Sequence, residues 1–252
     1  MKSSRRVFGL HSAETAIECG AASISTAWID ARRGDARLAR LTQRLSEHGI
    51  RVESVSKRRL DELSRGGNHQ GIVIDMDLPA ERDEDDLIGV LADAAAKPLL
   101  LVLDQVQDPH NLGACLRTVD AVGALGIVIP KDQSVGLTPT VAKVASGAAE
   151  TVPVYRVTNL ARCLDRLKAA GLWLVGAAGK ADITVYEADL TVPLALLLGA
   201  EGKGLRRLTQ EKCDLLVRIP MLGSMESLNV SVAAGVLLYE ALRQRSSWNH
   251  GR

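Results

Sequence analysis

Five short apolar runs in the second part of the chain restrict its fold more than any other feature. They are Leu99–Leu103, Gly126–Ile129, Leu172–Val175, Leu194–Leu198 and Leu215–Ile219, each with Gly or Pro at an end. Runs this short, apolar on consecutive rather than alternate residues, read as strands covered on both faces. Between them lie stretches of helical character at Asn111–Val122, Pro139–Ala148, Leu160–Ala170 and Arg206–Lys212. A last helix is expected from about Ser227 to Arg245. Strands alternating with helices predict a parallel α/β sheet, and topology rules alone predict an open, doubly wound one. Such a sheet binds its ligands in loops beyond the carboxyl ends of its strands.

The first part of the chain reads as a smaller α/β domain. Helices are expected at Ala13–Cys19 and Asp35–His48, where Leu38, Leu41 and Leu45 keep helical spacing and Gly49 is a stop signal. Strands are expected at Ile24–Ile29, Ile50–Val55 and Gly71–Met76. The two parts meet at an acidic stretch: residues 77–96 hold seven Asp or Glu against one basic residue. That stretch contains Pro79 and reads as a linker. The domains are therefore expected at 1–76 and 97–252, joined by the connector 77–96.

Composition narrows the function classes. The chain has 252 residues, 46% of them hydrophobic, enough for one large core or two modest ones. No apolar run reaches the length of a membrane span, and the basic start lacks the apolar stretch of a secretory signal. Cys19, Cys115, Cys163 and Cys213 are far apart, with no C-x-x-C pair. They read as free thiols in a reducing cytoplasm, and neither they nor the five histidines have metal-ligand spacing. The net charge of +1 conceals a net of +4 over residues 1–76, carried by 13 Lys and Arg against 9 Asp and Glu. Basic surface of this kind attracts phosphate, although on charge alone ordinary solvated charge is the preferred reading.

Three loops follow strand ends. The first, DQVQDPHNLGACLRT over 104–118, leads into a helix that Asp108 or Asn111 could cap, with Arg117 six residues past Asn111. An arginine there could clamp phosphate, or could be a surface residue of a capped helix. The second, LLLGAEGKGL over 196–205, sets Glu201 and Lys203 among three glycines. It is neither a Walker A loop nor G-x-G-x-x-G, which weighs against a nucleotide-cofactor oxidoreductase. The third, residues 219–245, brings Ser227, Asn229 and Ser231 to a helix start, with Ser227 the expected N-cap and Met221 and Leu222 as apolar walls. Taken singly, each loop also fits a plain capped helix or tight turn.

Together and in this order, DPHNLGACLRT, GAEGKGLRRLT and IPMLGSMESLNVSVA resemble the signature motifs of the SpoU/TrmH class of RNA ribose 2′-O-methyltransferases, over about 150 residues. The resemblance is to the branch that methylates a guanosine in 23S ribosomal RNA. Phe8-Gly9-Leu10-His11 and Asn68-His69-Gln70-Gly71 resemble the small substrate-binding domain of that branch, which is similar to ribosomal protein L30e. The resemblance implies a SPOUT methyltransferase domain with a C-terminal trefoil knot, and a homodimer. It implies S-adenosyl-L-methionine as methyl donor, held by Ala177, Gly199, Ile219, Met221 and Leu228. It implies a catalytic set of Asn111, Arg117, Glu201, Ser227 and Asn229, and no metal.

An arginine is almost never deprotonated, so Arg117 is expected as an electrostatic clamp on phosphate and on developing alkoxide charge. The phosphate or Glu201 would then take the ribose proton. The first domain is expected to choose the RNA, through Arg58, Arg59, His69 and Gln70 among others. For His69, a buried turn role is an equal alternative. Aromatic residues, at 3%, are too few for a broad base-stacking platform. A transfer-RNA methyltransferase of the same class and a non-catalytic RNA-binding assembly factor remain as alternatives.

Overall fold

The computed structural model describes residues 4–94 and 97–246. In chain order the elements are β1 (Ser4–Phe8), α1 (Leu10–Gly20), β2 (Ile24–Asp30), α2 (Ala36–Glu47), β3 (Arg51–Val55), α3 (Lys57–Leu63), β4 (Ile72–Asp77), α4 (Glu84–Ala92), β5 (Leu99–Asp104), α5 (Pro109–Ala121) and β6 (Gly126–Pro130). They continue with α6 (Pro139–Ala145), α7 (Ala148–Thr151), β7 (Val154–Val157), α8 (Leu160–Ala169), β8 (Trp173–Ala177), β9 (Ile183–Thr184), β10 (Leu194–Gly199), α9 (Arg207–Lys212), β11 (Leu215–Arg218) and α10 (Val230–Arg245). Two compact units result. One is the chain through Ala80 together with Leu137–Thr151; the other is Glu81–Gly136 together with the chain from Val152 on.

The first unit is built on a mixed sheet of order β1-β4-β2-β3, in which only β2 and β3 run parallel. Strand β4 sits inside it and buries both faces. Ile72, Ile74 and Met76 join the core under α1 and α2, while Val73 packs with Leu60 and Leu63 of α3 on the other side. Helix α2 presents Leu38, Leu41 and Leu45 to that core, as their spacing predicts, and Asp35 caps it by accepting from the backbone N–H groups of Arg37 and Leu38.

The helix expected over 139–148 is divided. Ser146 and Gly147 take left-handed backbone (φ 50° and 99°) and turn the chain into α7. Within the first unit α7 packs against α1 and α6 against β1, and Glu150 of α7 pairs with Arg5 of β1. Burial pushes the Glu150 carboxyl up, and the Arg5 guanidinium opposes that shift. Residues 137–151 thus belong to the first compact unit, although in sequence they fall inside the stretch 97–252.

The acidic stretch is not a plain linker. Asp83 forms a reciprocal capping box with Asp86, and α4 follows with Glu84, Asp85 and Asp86 in its first turn. Carboxylates there complement the positive end of the helix, so the acidity marks a helix start. Leu87 is fully buried in the core of the second unit, and Glu84 pairs with Arg162 and Arg166 of α8. Asp83→Ala is expected to cost about 1 kcal/mol. In urea titrations this should appear as a lower midpoint at unchanged slope.

The second unit carries the predicted parallel sheet. Its strand order is β7-β6-β5-β10-β8-β11-β9 and every pairing is parallel. Strand β10 enters between β5 and β8, both laid down earlier in the chain. All strands point the same way, so the segments after β5, β8, β10 and β11 leave from one edge of the sheet.

Candidate active site

The site is founded on Asp104, the last residue of β5, which lies in register with Gly199 at the end of β10. Asp104 is completely buried. Its carboxylate accepts from the Arg206 backbone N–H at 3.2 Å, from Arg206 Nε at 2.8 Å and from Thr209 Oγ1 at 2.7 Å. A buried carboxylate needs such partners, and these fix the start of α9. The loop from Gly199 to Arg206 is therefore held at one end by the sheet and at the other by Asp104. Between those ends it folds onto itself: Gly204 N–H donates to Ala200 O at 2.8 Å, with Gly204 at φ 66°. A Cβ on Gly199 would lie 1.9 Å from the Gly204 carbonyl carbon, so only glycine fits there.

That tight turn presents Glu201 to two asparagines. Asp108 caps α5, accepting from the His110 N–H at 2.8 Å with Pro109 at the first helical position, and this sets Asn111 in the first turn. Asn111 is buried. Its Nδ2 donates to Glu201 Oε1 at 2.9 Å, and its Oδ1 accepts from Asn229 Nδ2 at 2.9 Å. Asn229 Nδ2 also reaches Glu201 Oε1 at 2.6 Å, and the Val230 N–H donates to the same oxygen at 3.4 Å. Three predicted residues from three loops thus form one closed hydrogen-bonded cluster. A cleft of about 290 Å³ opens beside it, lined by Gln105, Asp108, Asn111, Gln133, Glu201 and Val230, among others.

Two predicted residues stand apart from the cluster. Arg117 is exposed on α5 and Ser227 is exposed ahead of α10. Ser227 is not the cap of that helix. Asn229 is, accepting from the Ser231 and Val232 N–H groups, and the helix begins at Val230. Asn and Ser cap equally well, so local sequence could not choose between them.

Ala177 closes β8, Gly199 closes β10 and Ile219 follows β11. The pairing of β8 with both β10 and β11 brings these strand ends side by side. Met221 and Leu228 are half-buried in the segment after β11, whereas Leu222 is fully exposed and walls nothing. Strand-end backbone groups suit main-chain hydrogen bonds to an adenine and a ribose, and apolar side chains such as Met221 and Leu228 suit cover of the ring.

In the first unit, Arg58 and Arg59 are exposed on α3 and both lean on Glu62. His69 is buried. Its Nε2 lies 3.1 Å from Asp61 Oδ1, and its Nδ1 accepts from the Gly71 N–H at 3.0 Å. Gln70 is exposed, with its Oε1 accepting from the Leu10 N–H at 3.0 Å. The Asn-His-Gln-Gly segment is thus a folded turn that fastens the start of α1. Among the described residues no group of three His, Cys, Asp or Glu could hold a metal, and no helix is long and apolar enough to cross a membrane.

The family model for SpoU rRNA methylases matches residues 98–239, and the model for RNA 2′-O ribose methyltransferase substrate binding matches residues 6–81. The chain belongs to the SpoU rRNA methylase family. As a SpoU methylase it is 51% identical over 247 residues to the 23S rRNA (guanosine-2′-O-)-methyltransferase RlmB of Shewanella oneidensis, covering 98% of this chain and 100% of that one. Among solved structures it is similar to the SpoU methyltransferase AviRb from Streptomyces viridochromogenes in complex with AdoMet. That similarity has a TM-score of 0.78 and 28% identity, over 96% of this chain and 91% of that one. It is also similar to the A. aeolicus TrmH/SpoU tRNA modifying enzyme, with a TM-score of 0.54 and 31% identity, but over only 64% of this chain and 82% of that one.

Proposed function

We propose that this SpoU methylase transfers a methyl group from S-adenosyl-L-methionine to the ribose 2′-hydroxyl of a guanosine in 23S ribosomal RNA, in the peptidyl-transferase region. The observation that carries the substrate is the end-to-end match to a 23S rRNA guanosine methyltransferase, first domain included. The similar tRNA-modifying enzyme covers under two thirds of the chain.

S-adenosyl-L-methionine supplies a methyl group on a sulfonium. The chain's residues divide the remaining work. Ala177, Gly199, Ile219, Met221 and Leu228 hold the cofactor at the strand ends. Asn111, Glu201 and Asn229 fix the loops around the reacting hydroxyl, since alignment of the reactants is a large part of such catalysis, and Ser227, exposed ahead of α10, contacts the substrate. Arg117, exposed on α5, clamps a substrate phosphate and stabilises charge developing on the ribose oxygen. The hydroxyl proton passes to that phosphate or to Glu201, whose Oε1 already accepts three N–H groups. Arg58, Arg59 and Gln70 of the first unit contact the RNA, and His69 supports them from within the turn. The division of labour follows 1–76 and 97–252 joined by 77–96, apart from residues 137–151, which pack with the first unit, and α4, which packs with the second; the first domain is L30e-like.

Two further features belong to this reading. The chain is a trefoil-knotted SPOUT domain: after β11, beyond β8, it returns to pack α10 against α5 and β10. It works as a homodimer, for which Val232 and Tyr239, two helical turns apart and exposed on α10, supply an apolar face. With bacterial ribosomal RNA as substrate, the enzyme acts in the cytoplasm.

The test is mass-spectrometric mapping of 2′-O-methylation in 23S rRNA and total tRNA, from cells with and without the gene. Loss of one guanosine methyl in 23S rRNA, restored by the wild-type gene, is the expected result. Loss of a tRNA methyl instead would keep the chemistry and overturn the substrate. No change in either RNA would favour a binding factor.

A further inference from the structure

Gln105 and Gln133 follow the carboxyl ends of β5 and β6 and have no part in the mechanism above. Both take left-handed backbone, with φ 66° and 60°. Residues with side chains adopt that region rarely, and glycine would sit there without strain. Where such residues persist, the surroundings over-determine them, commonly at a functional site. Here they do so in two ways. Gln105 Nε2 donates to Gln133 Oε1, and the two loops are tied by the Val135 N–H donating to Val106 O at 3.0 Å. Both amides line the cleft that also holds Asn111 and Glu201. At about 290 Å³ the cleft is at the small end of ligand sites, room for a single base rather than a helical segment.

The bond between the amides leaves specific groups for a ligand. An amide has two N–H donors and an acceptor oxygen. With one Gln105 N–H engaged on Gln133 Oε1, the Gln133 N–H donors, the second Gln105 N–H and the Gln105 carbonyl oxygen remain for a ligand. A donor fixed beside an acceptor suits the Watson–Crick edge of guanine, where O6 accepts and N1–H donates. Adenine reverses both, with a donor at position 6 and an acceptor at N1. Neither amide can turn over alone without breaking the bond between the two, so their orientations are coupled. Sequence-specific RNA recognition works on splayed-out bases read on this edge.

The geometry points to Gln105 and Gln133 as a base-reading pair that selects the guanine of the target nucleotide, a role that rests on the guanosine-methylating reading above. Two 23S rRNA transcripts test it, one with guanosine at the mapped position and one with adenosine there. Each is methylated under single turnover by the wild-type enzyme and by Gln133→Ala and Gln105→Gly. The glycine variant removes an amide while relieving the left-handed backbone, so it should fold at least as well as wild type. Each variant is expected to lower the guanosine-over-adenosine rate ratio by about 10- to 100-fold. Any effect of adenosine on the folding of the RNA is common to all three enzymes and cancels in that comparison. A ratio unchanged in both variants, even with slower rates, would make the amides a loop staple and overturn the assignment. Equal methylation of both transcripts by wild type would also overturn it. If wild type methylates neither transcript, and mapping in cells finds no 23S rRNA methyl, the substrate reading itself fails and the pair's role with it.

Discussion

Gly199→Ala is expected to weaken S-adenosyl-L-methionine binding by about 100-fold, read by titration calorimetry, and to lower the denaturation midpoint of the protein. The added methyl would start 1.9 Å from the Gly204 carbonyl carbon and 2.2 Å from the Leu205 nitrogen, which are backbone atoms with no rotamer to change. Relief requires moving the turn. That turn is held by the pairing of β10 with β5 and β8 on one side and by the Asp104–Arg206 contacts on the other. Overpacking a site that can yield costs roughly 1–3 kcal/mol, and this one yields poorly. The upper end of that range is a factor of about 100 in affinity. Gly89→Ala is the control: Gly89 lies in α4 with nothing within 4 Å of its would-be Cβ, so alanine there should bind cofactor normally. Unchanged affinity in Gly199→Ala would mean that the turn does not shape the cofactor site.

The sheet and the site differ in how far sequence reveals them. The five short apolar runs bounded by Gly or Pro mark their strands, most clearly β5, β6 and β10, whose residues are almost all buried. The two missed strands of the second unit lack that mark. Strand β7 is VYRV, with Arg156 breaking the apolar run, and β9 is only two residues long. Helix α4 was hidden for a different reason: three carboxylates in its first turn look like solvated linker until the capping Asp83 is read with them. At the site, the motifs identify Asn111, Glu201 and Asn229 singly, but their common hydrogen bonds span 28 to 118 residues of chain. No local spacing encodes such contacts. Asp104 carried a signal, a lone carboxylate closing an all-apolar strand, whose meaning depends on Arg206 and Thr209 about a hundred residues away. Gln105 and Gln133 carried none, because their left-handed backbone is a property of the folded loops.

Arg117→Ala is expected to reduce kcat by about 10²- to 10³-fold, the usual effect of removing one donor that stabilises transition-state charge. Binding of S-adenosyl-L-methionine and thermal stability should change little, because the side chain is exposed and outside the Asn111–Glu201–Asn229 cluster. The informative variant is Arg117→Lys. Lysine keeps the charge but loses the planar fork that grips two phosphate oxygens at once. A clamp that aligns the phosphate should therefore fail in the lysine enzyme almost as badly as in the alanine enzyme. A clamp that only attracts the RNA should work nearly as well with lysine, and its defect in Arg117→Ala should fall on KM for RNA and grow with added salt. Single-turnover rates at saturating RNA separate the two cases. A rate in Arg117→Lys close to wild type would remove the bidentate role and leave Arg117 as one cation of the RNA-binding surface. The work of raising the reactivity of the hydroxyl would then fall to Glu201, the carboxylate that the cluster holds at the head of α10.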